Sequence, residues 1–216
     1  MEPKPISVKS LLIAAVAVGG AEFVARGLIA QGGVHPMIAQ GFVRLTQIIL
    51  LLLIVITLEK SIASIGVVSS QLLAGVKKGI IWSLGFGIAT GVVFIILWAT
   101  SFQISAFFQA PVPLTHGDLF LFIAVGAVIA PVAEEIFFRG ILYGFFRQWG
   151  LTMALVISTA LFVIPHATGS GLPITQVVGG LLFAVAYEIE KNLIVPIIIH
   201  SLGNMAIFIL SFLVQS

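Results

Sequence analysis

The chain has 216 residues, of which 60% are hydrophobic and 8% charged, with a formal net charge of +2 and a mean hydropathy of +1.22. A soluble domain covers itself with about a quarter charged residues, so this composition excludes one and points to a polytopic membrane protein. The small net charge gives no basis for a nucleic-acid partner, and the absence of cysteine removes disulfides, thiol nucleophiles and cysteine metal sites.

A bilayer-crossing helix needs about 20 mostly apolar residues. Hydrophobic runs between polar breaks predict seven spans, at 10–31, 37–58, 79–102, 118–147, 151–166, 174–188 and 192–214. The expected fold is all-α, one transmembrane bundle over 1–216. The basic start followed by apolar residues has signal-peptide character, with Ala15-Val16-Ala17 as a small-residue cleavage motif, but the apolar run continues to Ala30 and reads as a spanning helix. Within that helix Glu22 and Arg26 stand four apart, on one face, and are expected to pair.

The loop 59–78 carries Ile62, Ile65, Leu72, Leu73 and Val76 at helical spacing and is expected to lie along the membrane interface. Gly79, Gly85, Gly87 and Gly91 give the third span a small-residue face for close helix packing. The fourth run is too long for one straight crossing, so it bends near Pro131 or projects past the bilayer at Arg147. No internal repeat suggests the inverted halves of a transporter.

Basic residues sort between the two sides. Lys4, Lys9, Lys60, Lys77, Lys78, Arg147 and Lys191 fall on one side, whereas the turn at Gly32-Gly33 and the loops 103–117 and 167–173 contain neither Lys nor Arg. The positive-inside rule then places the N-terminus in the cytoplasm and the C-terminus outside.

Ionisable residues inside spans cost several kcal/mol and normally face a partner or a wet cavity. Glu135 and Arg139 form an i, i+4 pair, which leaves the adjacent Glu134, about 100° around the helix, without a local cation and suited to general-base work. His166 closes the fifth span, one turn beyond Phe162, and His200 and Asn204 share a face of the last span. Together these are the parts of a water-activating hydrolase: Glu134 and His166 to hold and deprotonate a water, His200 and Asn204 to donate hydrogen bonds to an oxyanion. Glu and His also ligate zinc or iron, so a catalytic metal is the chemical competitor. The chain lacks HExxH, cysteine ligands and Glu-x-x-His pairs, and the reading adopted needs no cofactor.

EEIFFRG (134–140), FVIPH (162–166) and HSLGN (200–204) resemble the EExxxR, FxxxH and HxxxN motifs, in order, of the CAAX protease and bacteriocin-processing family, also called the ABI or type II CAAX prenyl endopeptidase family. The stretch GGLLFAVAYEIEKNLIVPIIIH (179–200) also resembles the segment leading into the last motif, and the likeness extends over about residues 118–214. The resemblance implies an intramembrane glutamate protease in the cell membrane of a prokaryote, acting on a membrane-associated or lipidated peptide. It implies Glu134 as base, His166 as water-positioning group, His200 and Asn204 as oxyanion hole, and Glu135 and Arg139 as residues that shape the site. A reading of a different class is a non-catalytic membrane adaptor, or a bacteriocin self-immunity protein, that binds a peptide in the same cavity.

Overall fold

The computed structural model describes residues 5–100, 110–113, 115–167 and 173–215. Lys4 and most of the 103–117 and 167–173 loops lie outside the described residues. Among the described residues the chain forms seven helices: α1 (Val8–Ala30), α2 (Pro36–Glu59), α3 (Leu72–Ala99), α4 (His116–Trp149), α5 (Leu151–His166), α6 (Ile174–Glu190) and α7 (Ile194–Gln215). The all-α expectation holds, and each helix overlaps one predicted span. Among the described residues, five stretches are long and apolar enough to cross a membrane: α1, α2, Ile62–Ala99, α4 and α7. Val16, Phe23, Trp98 and Phe120 are at least 72% exposed, a distribution that suits lipid and not water.

Local chemistry sets the helix ends. Ser7 caps α1 by accepting from the Ser10 N–H, and it also donates its hydroxyl to Glu59 at 2.8 Å, which ties the start of α1 to the end of α2. Pro36 opens α2 at a position where its missing N–H is harmless, and His35 caps the helix through Nδ1. The Nε2 of His35 faces Asp118 at 3.2 Å, joining the starts of α2 and α4.

The helix α4 is central, packing against α1, α2, α5, α6 and α7. It does not run as a plain α-helix. Wider π-helical turns at Ala124–Ile129 and Ile136–Tyr143 flank the short α-helical piece Ala130–Glu135, which contains Pro131. The expected bend near Pro131 is thus an altered helical pitch on both sides of it, and the helix runs on past Arg147 to Trp149.

Two expectations for the middle of the chain are corrected. The helical spacing in the 59–78 loop does not become one helix: Lys60 ends α2 at φ 67, two 3-10 turns follow, and Leu72 already begins α3. Ile65 is fully buried against Gly140. Gly66, at φ 77, accepts the Leu193 N–H at 3.1 Å, and a Cβ there would stand 3.0 Å from the Lys191 carbonyl. On α3, Gly79 does pack, since a Cβ would lie 2.6 Å from Ile198 of α7, and Gly75 packs beside it against Asn192 and Ile194. Gly85, Gly87 and Gly91 have nothing within 4 Å of a built Cβ among the described residues. Among the described residues α3 leans chiefly on α7, at its glycine-bearing first turns.

The basic loops converge at one end of the bundle. Glu188 pairs with Arg147 at 3.0 Å and Lys191 at 2.8 Å, and accepts from Tyr143 at 2.6 Å. Glu190 pairs with Lys78 and accepts from the Trp82 indole. Lys78, Arg147 and Lys191 therefore share one end, as their side of the membrane was read from sequence.

Candidate active site

The three motifs meet on α4, α5 and α7, and the unusual turn of α4 explains one of the contacts. Ala130 donates its N–H back five residues to Val125. The next residue, Pro131, has no N–H at all. The Gly126 carbonyl is thereby left without a helical donor, and the Asn204 amide of α7 donates to it at 2.9 Å. Gly126 also admits the Phe208 ring, which would stand 2.9 Å from a Cβ.

Glu135 and Arg139 are completely buried and paired, Nη1 to Oε1 at 2.9 Å, as their spacing predicts. The same Oε1 faces His200 Nδ1 at 2.8 Å. A carboxylate only accepts, so the His200 Nδ1 carries the proton and its Nε2 is the nitrogen left for other work. Arg139 also donates to the Gly180 carbonyl at 2.8 Å, and its guanidinium lies over Phe162 at 4.6 Å and Phe183 at 5.2 Å. A desolvated contact of that kind is worth about 2 kcal/mol. Gly180 permits the approach of α6 to α5, since a Cβ would meet Phe162 at 3.0 Å. The Glu135 Oε2 and Arg139 Nε are buried without a hydrogen-bond partner among the described residues.

Phe162 stands between the two imidazoles. Its ring lies 4.9 Å from His166 and 5.8 Å, edge to face, from His200, which in turn stacks on Phe183 at 4.6 Å. The His166 Nδ1 donates to the Phe162 carbonyl at 2.8 Å, which again presents Nε2. His166 lies one turn beyond Phe162 on α5, and the Phe162 ring is the side chain through which α5 meets the Arg139 guanidinium of α4, at 4.6 Å. No direct hydrogen bond or ion pair joins His166 to Glu134 among the described residues.

Glu134 makes no hydrogen bond to the protein among the described residues, but it is not without a cation. Its Oε1 lies 3.7 Å from Arg44 Nη2 and its Oε2 lies 3.8 Å from His200 Nε2. Arg44, on α2, was not singled out from sequence. It also replaces Arg26 as the partner of Glu22: Arg44 Nη1 pairs with Glu22 at 2.8 Å, while Arg26 is exposed and forms no ion pair among the described residues. Spacing within a helix shows only intrahelical neighbours, and the packing of α1 on α2 offered Glu22 a more buried cation. The available signal was the polar series Gln40, Arg44, Gln47 at helical spacing on α2.

Residues 116–206 match the family model described as type II CAAX prenyl endopeptidase Rce1-like. The chain carries an Rce1-like segment. Glu134, Glu135, Arg139, Phe162, His166, His200 and Asn204 all fall within it, so the resemblance read from the three motifs holds over this part of the chain. A protein of Bacillus subtilis strain 168 named as membrane peptidase YdiL is 33% identical over 91 residues, 42% of this chain and 37% of the relative. The membrane-embedded CAAX protease MroQ of Staphylococcus aureus strain USA300 is 32% identical over 91 residues, 39% of this chain and 36% of the relative. The chain thus spans little more than a third of the length of these curated relatives. No solved structure matches it. Around the Rce1-like segment, the apolar helices and the bacterial relatives mark a multi-pass prokaryotic membrane protein.

Proposed function

We propose that the chain is a membrane-embedded endopeptidase in which Glu134 deprotonates a water that attacks a peptide carbonyl. The observation that carries this reading is the common setting of the two imidazoles about Phe162, each with its Nδ1 committed to an acceptor and its Nε2 presented. In a neutral ring the His166 Nε2 accepts one proton of the water, and Glu134, whose oxygens take no hydrogen bond from the protein among the described residues, receives the other.

The water oxygen bonds to the carbonyl carbon, its proton passes to Glu134, and the carbonyl becomes a tetrahedral oxyanion. His200, when Nε2 bears a proton, and the second N–H of the Asn204 amide are the donors for that oxyanion; one such donor is worth about 100-fold or more in rate. The oxyanion re-forms the carbonyl, the C–N bond breaks, and Glu134 returns the proton to the leaving amine. Glu135 and Arg139 hold the His200 ring in place. The substrate class in this reading is a lipidated peptide presented from the bilayer, in keeping with the prenyl-endopeptidase description of the matching family model. This assignment is supported by the match over 116–206 and the bilayer-suited surface.

The test is a comparison of protein C-termini in membranes of cells making the wild-type chain or Glu134→Gln. New C-termini that appear only with the wild type are expected. Identical sets, with both proteins present in equal amount, would overturn the endopeptidase reading.

A further inference from the structure

The bundle is tight at one end and loose at the other, and the candidate site lies where it changes. Towards the basic loops, every residue of α4 from Phe138 to Tyr143 is buried. Leu193, Val195 and Ile199 of α7 and Tyr187 of α6 are buried as well, and Ile65 of the α2–α3 connection closes onto Gly140. Water or peptide entering from this end would have to cross a close-packed and mostly apolar layer, which stays dry because it offers a water few polar partners.

The polar side chains change in the opposite sense along the bundle. Glu135 and Arg139 have no exposed side-chain surface, whereas Glu134 is 13% exposed, Arg44 of α2 18% and Glu22 of α1 27%. Contact is unbroken along this series, from Glu134 Oε1 to Arg44 Nη2 at 3.7 Å and from Arg44 Nη1 to Glu22 Oε1 at 2.8 Å. The Glu134 oxygens and Arg44 Nη2 make no hydrogen bond among the described residues, yet none of them is shut off from solvent. Glu22 lies in the second half of α1 and Arg44 in the first half of α2, the halves that lead to the His35–Asp118 pair and away from Arg147 and Lys191. His166 likewise closes α5 at the end remote from Arg147 and Trp149.

We infer that the site opens at the end of the bundle away from the basic loops, past Arg44 and Glu22, and receives a peptide from the extracytoplasmic side of the membrane. The side follows from the basic loops, which the positive-inside rule puts in the cytoplasm. That the incoming peptide is a substrate rests on the reading of Glu134 as base, whereas the direction of opening does not.

The chain has no cysteine, so single introduced thiols report access without any use of activity. Full-length Glu22→Cys and Glu134→Cys are compared with two exposed markers, Gly33→Cys at the open end and Ser70→Cys at the basic end. Each is treated, in intact cells and in inverted membrane vesicles, with a trimethylammonium methanethiosulfonate that does not cross bilayers. Thiols that remain free are counted after denaturation by the mass added with a polyethylene glycol maleimide. Glu22→Cys and Glu134→Cys are expected to react in intact cells together with Gly33→Cys, and to be spared in inverted vesicles, where Ser70→Cys reacts.

Reaction of the site thiols in inverted vesicles alone, whichever marker accompanies them, would overturn the inference, as would their protection from both sides while Gly33→Cys reacts. Should Glu134→Cys not fold, Glu22→Cys at the rim gives the same two-sided comparison. If the cleavage proposed above is observed, the reagent applied to intact cells is expected to abolish it in Glu22→Cys and to leave it unchanged in the cysteine-free wild type. Unimpeded cleavage with the introduced thiol fully modified would overturn entry past Glu22. Absence of cleavage by the wild type would instead sink the protease reading and leave the labelling result standing.

Discussion

Asn204 donates its side-chain amide to the Gly126 carbonyl at 2.9 Å, and so takes the place of a backbone donor that α4 does not supply. Removing the amide by Asn204→Ala leaves a part-buried carbonyl unpaired, an expected loss of about 1–3 kcal/mol in unfolding measured in mixed micelles. Pro131→Ala restores an N–H within reach of that carbonyl. The loss from Asn204→Ala should therefore be smaller in the Pro131→Ala background, and equal losses in both backgrounds would contradict the proposed exchange of donors.

The Glu135, Arg139 and His200 contacts form one buried unit, so their variants should not add. Arg139→Ala strands Glu135 as an unpaired charge at 0% exposure, and a loss of about 3–5 kcal/mol is expected. Arg139→Lys keeps a charge but cannot reach Glu135 and the Gly180 carbonyl with one planar fork, so it should recover only part of that loss. Glu134→Gln, by contrast, breaks no hydrogen bond among the described residues and should change unfolding by about 0.5 kcal/mol or less. The melting temperatures of these three variants are the check.

On α3 the glycines divide by position. Gly79→Ala drives a methyl to 2.6 Å from Ile198 and should destabilise the α3–α7 contact by about 1–3 kcal/mol. Gly87→Ala meets nothing within 4 Å and should be near neutral. Thermal unfolding of the pair compares one helix with itself.

The chain's lack of cysteine makes its orientation easy to read. Single cysteines at the exposed positions Ser70 and Gly33 should label from opposite faces of the membrane, Ser70→Cys from the cytoplasmic side and Gly33→Cys from outside. The reverse pattern in intact cells would invert the topology inferred from the basic loops.

Much of this arrangement was legible in the sequence because it rests on one-dimensional periods. Span length gave the helices, and i, i+4 spacing gave the Glu135–Arg139 pair and the shared face of His200 and Asn204. What was not legible depends on which helices touch. Glu22 was paired with Arg26 because only Arg26 is its neighbour along the helix, whereas Arg44 reaches it across the α1–α2 contact. The same blindness left Glu134 without a cation and Asn204 without a partner, since one waits 90 residues upstream and the other is a carbonyl freed by a proline. The glycine face of α3 was overextended for a related reason. Small residues permit close packing, but only a neighbouring helix realises it, and α7 does so at Gly79 and not at Gly85, Gly87 or Gly91.

The length of α5 bears on how water reaches His166. Its 13 α-helical residues and three-residue 3-10 turn rise about 25 Å, against a hydrocarbon core of about 30 Å. With Leu151 at the end marked by Arg147 and Trp149, the far end of α5 stops short of the opposite headgroups. A helix that short, set across a bilayer of that thickness, is expected to be accommodated by local thinning of the bilayer, which would carry the headgroup boundary towards the His166 ring.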